Sequence, residues 1–331
     1  MLIITDINKI DINQWSMFVQ NHPNGNVFQT LGMYNVYKNT PKNNPVIIIA
    51  EDQGEIKGVL LANIVFNGPK FLKFLSARCI VTGGPIVEND DTEISNLLLG
   101  KLREILPGFV VYSEIRPIYD PSVFVTSFEN LGFERHGHYN VIIKLDTTEE
   151  ELFKRLRKER RKHVSQALRA ELSFEQVYSQ EDVDKIIELI EETYRRKKVP
   201  LSNTQLFINV KNYLPENVHF FAIKDGEEIV AGQIALCYNG MAYAWYTGSS
   251  EKSLRLRPND LLMWSFINWS NTEGYKMFDF GGGGEPSVPY GVRDYKMTFG
   301  AELFDYGRFV NLHKPIIYKL AKFGLSLFKK N

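Results

Sequence analysis

Two cations, Arg293 and Lys296, stand three residues apart in Tyr290-Gly-Val-Arg-Asp-Tyr-Lys-Met-Thr-Phe-Gly300, a spacing that puts them on one face of a short helix. Just upstream, Gly274-Tyr-Lys-Met-Phe-Asp-Phe-Gly-Gly-Gly-Gly284 reads as a short strand running into four consecutive glycines. A strand end without side chains lets another backbone or a ligand come close. Two cations beside such an opening can receive negative charge, whether a phosphate or a developing oxyanion. The same residues are equally compatible with a tight turn and an ordinary surface helix.

The elements that must position these residues are set by a chain of 331 residues, long for one compact core and comfortable for two domains. Lys+Arg and Asp+Glu are both 39, so no global field favours nucleic acid or membrane, and any such contact must be local. Cys79 and Cys237 sit far apart in apolar or aromatic runs and read as buried thiols, with neither a disulfide framework nor a metal site implied. The sequence starts without the basic and apolar regions of a signal peptide and has no apolar run of bilayer length. A cytoplasmic protein is expected.

Apolar periodicity and turn signals predict a helix around Trp15–Phe18, a second from about Thr30 through Lys38, and a hairpin of Pro45–Ala50 with Ile56–Val65. Strands follow at 71–80, 109–116 and 133–145, with helices at 92–106 and 120–131. The same order recurs as a hairpin at 218–236, strands at 241–247, 275–280 and 301–310, and helices at 258–273 and 290–299. Ala50-Glu-Asp-Gln-Gly-Glu-Ile-Lys-Gly58 parallels Ile223-Lys-Asp-Gly-Glu-Glu-Ile-Val-Ala-Gly232, and Leu131-Gly-Phe-Glu134 parallels Phe299-Gly-Ala-Glu302. Landmarks recurring in one order argue for a duplicated α/β unit. Between the halves, Glu149–Glu171 lacks Gly and Pro and reads as one helix, with eight Lys/Arg against one Glu from Lys154 to Arg169. It is either a solvated linking helix or a local basic surface for a polyanion.

A hairpin followed by strand–helix–strand–helix–strand is the order of the GNAT acyltransferase fold, here twice. Acyl-CoA members hold pyrophosphate on a glycine-bearing loop at the start of the central helix. The equivalent stretch here is Arg255-Leu-Arg-Pro-Asn-Asp260, where Pro258 and Asp260 replace the loop glycines and Asp260 brings a negative charge. Taken together, the chain resembles the Fem family of aminoacyl-tRNA-dependent peptidyltransferases. The resemblance rests on Val27-Phe-Gln-Thr30 with Lys38, Gly83-Gly-Pro85, Arg157-Lys-Glu-Arg-Arg-Lys-His163 and Thr193-Tyr-Arg195. It also rests on Ala244-Trp-Tyr-Thr-Gly-Ser249, Phe278-Asp-Phe-Gly281 and Arg293-Asp-Tyr-Lys-Met-Thr-Phe-Gly300.

The resemblance implies a mixed α/β protein of two tandem GNAT-like domains, 1–146 and 173–312, joined by a basic helix at 147–172 and followed by an amphipathic helix at 313–331. It implies a soluble aminoacyltransferase that uses aminoacyl-tRNA and no cofactor or metal. The acceptor would be an amine of a nucleotide- or lipid-linked sugar-peptide in peptidoglycan or another cell-envelope precursor. Lys296 would neutralise charge at the attacked carbonyl; Lys38, Thr193, Arg195, Tyr246 and Arg293 would hold the acceptor; Arg157, Arg160 and Arg161 would meet tRNA. Glu114 and Asp279 are the acids available to take the amine proton, and either can instead pair with Arg116 or Arg293. His136, His138 and His163 have no spacing for a relay or metal site and are expected to be structural. The tail after Pro315 is basic and amphipathic through Ile316, Ile317, Leu320, Phe323, Leu327 and Phe328, and either packs on the first domain or contacts an anionic membrane. The alternatives are an acyl-CoA-dependent N-acyltransferase acting on an envelope sugar or polysaccharide, and a non-catalytic binding module of the same fold.

Overall fold

The computed structural model describes residues 1–320. The chain divides into two compact units, Met1–His138 with the chain from Tyr306 onward, and Tyr139–Asp305. The first contains β1 (Leu2–Ile4), α1 (Ile12–Asn21), α2 (Leu31–Lys38), β2 (Asn43–Asp52), β3 (Glu55–Val65), α3 (Lys73–Ser76), β4 (Arg78–Thr82) and β5 (Ile86–Val87). It continues through α4 (Thr92–Ile105), β6 (Tyr112–Arg116), α5 (Val125–Asn130) and β7 (Glu134–His136). The second unit contains β8 (Tyr139–Lys144), α6 (Glu149–Arg155), α7 (Lys158–Arg169), β9 (Ser173–Val177), α8 (Gln180–Arg196), α9 (Gln205–Tyr213), β10 (Val218–Asp225), β11 (Glu228–Tyr238) and β12 (Met241–Ser249). It ends with α10 (Pro258–Thr272), β13 (Met277–Gly282), α11 (Gly291–Met297) and β14 (Glu302–Asp305), after which β15 (Arg308–Leu312) returns to the first.

The sheets run β1-β2-β3-β4-β6-β15-β7 and β14-β8-β13-β12-β11-β10-β9. Each is mixed, because β4 pairs parallel with β6 and β12 parallel with β13 while the other pairs are antiparallel. The duplicated landmarks have a structural counterpart. The two hairpins carry a bulge close to their turns, at Ala50/Glu51 and at Ile223/Lys224, and β7 and β14 are the corresponding edge strands.

Three sequence expectations change. The runs 133–145 and 301–310 are not single strands. Each breaks, the second at Gly307 with φ +72°. Its later part then joins the other sheet: β8 pairs with β13 and β14, and β15 with β6 and β7. The first stretch of the first compact unit accordingly ends at His138. The stretch 149–171 is two helices. Leu156, buried at 2% exposure, is extended (φ −61°, ψ 138°), and the Arg157 amide donates to the Thr298 carbonyl at 2.9 Å. Residues 71–76 form a helical turn instead of strand.

Each sheet is covered by a helix that buries apolar side chains against it, α4 through one face and α10 through most of its surface. Ile94, Leu98, Leu99 and Leu102 of α4 enter a core with Ile48, Leu60, Cys79, Val81 and Ile115. Leu262, Phe266 and Ile267 of α10 enter one with Phe221, Ala235, Cys237 and Phe278. Both cysteines are buried and free, and burial pushes each thiol up to about 12.

On the other side of β12 the backbone of α8 approaches so closely that a Cβ on Gly248 would stand 2.3 Å from the Ile190 amide nitrogen. Gly248→Ala must displace helix backbone, and we expect a loss of about 1–3 kcal/mol, measured as a lower urea midpoint at unchanged slope.

Candidate active site

The second sheet opens between β12 and β13. These parallel strands pair only at Met241↔Met277, Ala242↔Phe278 and Tyr243↔Asp279. Beyond that point β12 stays on β11 as far as Ala231↔Ser249, while β13 stays on β8 as far as Gly282↔Asn140. The divergence has a local cause. Asp279 Oδ1 accepts the Gly281 N–H at 2.6 Å, Gly281 takes φ +77°, and a bulge falls between Asp279 and Gly282. A Cβ at Gly281 would lie 3.1 Å from the Tyr243 hydroxyl, so glycine suits both the backbone angle and the space. The equivalent strands of the first sheet stay together from Arg78↔Tyr112 to Thr82↔Arg116, and the Gly83 amide then donates to the Arg116 carbonyl at 2.9 Å.

Helix α11 delivers Lys296 to the opening. Its Nζ donates to the carbonyls of Phe280 and Gly282, both at 2.8 Å, which uses two of its three N–H bonds. Burial lowers the ammonium to about 8, against the opposing attraction of Asp279. Asp279 itself is fully buried and is pushed up to about 6 by desolvation, although the Gly281 amide, Asn140 Nδ2 at 3.3 Å and the charge of Lys296 act the other way. A lysine whose ammonium faces backbone carbonyls at a strand opening can present its remaining N–H to developing negative charge. Arg293, one turn earlier, is spent on structure. Its guanidinium donates to Glu285 and Val288 carbonyls at 2.8 Å and to that of Gly283 at 3.4 Å, clamping the glycine-rich loop.

The start of α10 differs from a pyrophosphate cradle. Arg257 before it is left-handed (φ +64°), Pro258 supplies no N–H, and Asp260 is buried at 4% exposure. Asp260 pairs with the Arg160 guanidinium and lies 3.3 Å from His163 Nδ1. Arg160 also donates through Nε to Thr298 Oγ1 at 2.9 Å and stacks over Tyr295 at 4.6 Å. A polyphosphate placed here would face a carboxylate already matched by its own internal cation.

The expected basic surface is thereby reduced. Arg160 is buried at 8% exposure and cannot contact tRNA. Arg161 caps α6, donating to the Lys154 and Leu156 carbonyls at 2.8 and 2.7 Å. Arg157, Lys158 and Lys162 remain exposed.

Of the other expected site residues, Thr193 is committed to the fold. Its hydroxyl donates to the Ser249 carbonyl at 3.2 Å and accepts the Ser249 amide at 2.9 Å, fastening α8 to β12. Tyr246 packs against Tyr194, Phe207 and Trp245, and its hydroxyl shares a 3.0 Å hydrogen bond with Ser202. Arg195 is exposed near the end of α8. Lys38 and Glu114 belong to the first unit. Lys38 is exposed over the Tyr34 ring, while Glu114 is 6% exposed and bridges Arg116 at 2.9 Å and Arg308 at 3.0 Å. Its pKa lies below the usual carboxylate range; desolvation, the largest influence, raises it but is outweighed by the two guanidinium groups together. A carboxylate held ionised in this way is a weak base. Asn140 was not foreseen, since no local signal marks a residue that reaches Asp279 from a strand sent across from the preceding half of the chain.

Residues 151–297 match the family model described as an acetyltransferase (GNAT) domain. Among solved structures, the chain is similar to FemX at 18% identity and a TM-score of 0.75, covering 97% of this chain and 99% of that one. It is similar to the C-terminal domain of a putative lysylphosphatidylglycerol synthetase from Agrobacterium fabrum, at 13% identity and TM-score 0.58 over 92% and 91% of the two chains. A tandem GNAT protein from the clavulanic acid biosynthesis pathway matches at 10% identity and TM-score 0.59, over 94% and 98%. No curated protein matches. The fold defined is a tandem of two mixed α/β units of the GNAT type, with the acetyltransferase (GNAT) domain matched over 151–297 and FemX as a likeness of fold. Among the described residues, no helix is long and apolar enough to cross a membrane.

Proposed function

We propose that the protein transfers an aminoacyl group from aminoacyl-tRNA to an amine of a peptidoglycan or other cell-envelope precursor. The observation that carries this reading is the buried Arg160–Asp260 pair at the start of α10, where an acyl-CoA enzyme needs a free cradle of amides. A donor without pyrophosphate has no such need. The likenesses to FemX and to a putative lysylphosphatidylglycerol synthetase support the same donor class.

In the reaction, the acceptor amine attacks the ester carbonyl, forming the C–N bond and an oxyanion. The third N–H of Lys296 meets that oxygen more strongly as its charge grows, so the transition state gains more than the ground state. Collapse breaks the C–O ester bond, and the amine proton leaves with the departing hydroxyl or to solvent. Asp279 acts through Lys296 by sustaining its charge, and Glu114 takes no proton. Arg195 and Tyr246 bind the sugar-peptide acceptor with its diphosphate, and Arg157 with Lys158 and Lys162 meets tRNA. The second reading, an acyl-CoA-dependent N-acyltransferase, is favoured by the acetyltransferase family match over 151–297.

Titration of the full chain with charged tRNA and, separately, with acetyl-CoA distinguishes them. We expect salt-dependent binding of charged tRNA, weakened about tenfold or more by Arg157→Glu with Lys158→Glu and Lys162→Glu, and no acetyl-CoA binding. Tight acetyl-CoA binding without tRNA binding would overturn the aminoacyl reading. Binding of an envelope sugar-peptide without transfer from either donor would leave a binding module.

A further inference from the structure

One end of the first unit exposes several apolar side chains close together in sequence. Pro69-Lys-Phe-Leu-Lys-Phe-Leu-Ser76 winds through a 3-10 turn at Lys70–Leu72 into α3 and leaves Phe71 75%, Phe74 42% and Leu75 43% exposed. The excursion is held at its base. Ser76 Oγ donates to the Asn67 carbonyl at 2.9 Å and accepts the Asn67 amide at 3.0 Å, and Lys73 Nζ sits 4.0 Å from the centre of the Phe109 ring.

The C-terminal helix starts at the same end. The Val111 amide donates to the Ala77 carbonyl at 2.8 Å, directly after α3, and the Val111 carbonyl accepts from the amides of His313 and Lys314 at 2.9 and 3.0 Å. Tyr318 then meets Tyr112 edge-on, with ring centroids 5.2 Å apart. The helix thus packs its first turn on the first unit while leaving Ile316 76% and Leu320 67% exposed. Its expected continuation through Phe323, Leu327 and Phe328 lies outside the described residues.

Charge around these five apolar side chains has one sign. Lys70, Lys73, Lys314 and Lys319 flank them, and segments 64–87, 105–113 and 306–331 contain no Asp or Glu, in a chain with 39 acidic residues. The apolar groups project from a turn rather than line a groove, which suits a fluid surface better than a shaped protein partner.

We infer that this end of the first unit docks on an anionic phospholipid bilayer, with Phe71, Phe74 and Leu75 entering the boundary of the acyl chains and the lysines at the headgroups. This inference does not rest on the donor or acceptor proposed above.

The test is flotation of the full chain with vesicles of phosphatidylcholine alone and of phosphatidylcholine with phosphatidylglycerol, at about 0.1 M salt, where charges are screened over about 10 Å. We expect binding to the phosphatidylglycerol vesicles only, and a loss of about tenfold or more in Phe71→Ser/Phe74→Ser/Leu75→Ser. The replaced side chains are exposed, so the thermal transition should not move. Phe71→Trp should shift its emission to the blue on vesicles, which a purely electrostatic contact would not produce. Absence of binding, or equal binding by the triple variant, would overturn the inference. So would a dimer in sedimentation that the triple variant converts to monomer, because the patch would then be an interface between copies of the chain.

Discussion

Lys296→Met should lower the rate of the transfer step by about 10²–10³-fold, the effect of removing one donor from a developing oxyanion, while the fold persists. Retention of the fold is expected because the substitution removes a charge that burial disfavours, and Asp279 keeps its bonds from the Gly281 amide and Asn140. Single-turnover transfer from the donor identified by titration is the measurement; an unchanged rate would remove Lys296 from the chemistry.

The pH profile gives an independent check with a definite sign. Lys296 works as the ammonium, and burial brings it to about 8, so activity should fall as pH rises through that value. Asp279 sustains that charge as the carboxylate, so Asp279→Asn should move the alkaline limb to lower pH, because the lysine loses the attraction that opposes its desolvation.

Arg160→Ala should destabilise the second unit by about 3–5 kcal/mol, the cost of leaving a buried charge without its partner. Asp260 would keep His163 and the Tyr295 hydroxyl nearby, and Thr298 and Tyr295 would lose their guanidinium contact. Arg157→Ala, three residues earlier and exposed, should stay within about 0.5 kcal/mol. Denaturant unfolding of the two variants separates a structural arginine from a surface one. If Arg160→Ala unfolded like the parent protein and lost only nucleic-acid binding, the assignment of Arg160 to the interior would be wrong.

These predictions show where sequence reading was sufficient. Arg157, Arg160 and Arg161 are alike in type and nearly adjacent; composition leaves both a solvated helix and a basic surface open, and the family resemblance implies that all three meet tRNA. The break at Leu156 turns α7 so that Arg160 enters the core and Arg161 caps α6, leaving Arg157 outside. The fold class was more legible, because hairpin turns, glycine-ended helices and alternating apolar strands are local signals that recur in both halves. Each run expected as one final strand instead divides between the two sheets, since strand pairing is a contact at long sequence separation that periodicity does not encode.

Residue order alone supplies the inventory: a duplicated α/β chain, Arg293 and Lys296 on one short helix after a glycine run, and an Asp where a phosphate-binding loop needs glycine. Tertiary structure decided their roles. It chose Lys296 over Arg293 for the strand opening, because only the lysine reaches the Phe280 and Gly282 carbonyls while the arginine is consumed by its own loop. It brought Asn140 to Asp279 from a distant strand and matched Asp260 with Arg160. The physical reason is that a charged side chain takes its function from how far it is desolvated and which partner it meets, and both are set by packing between segments far apart in the chain.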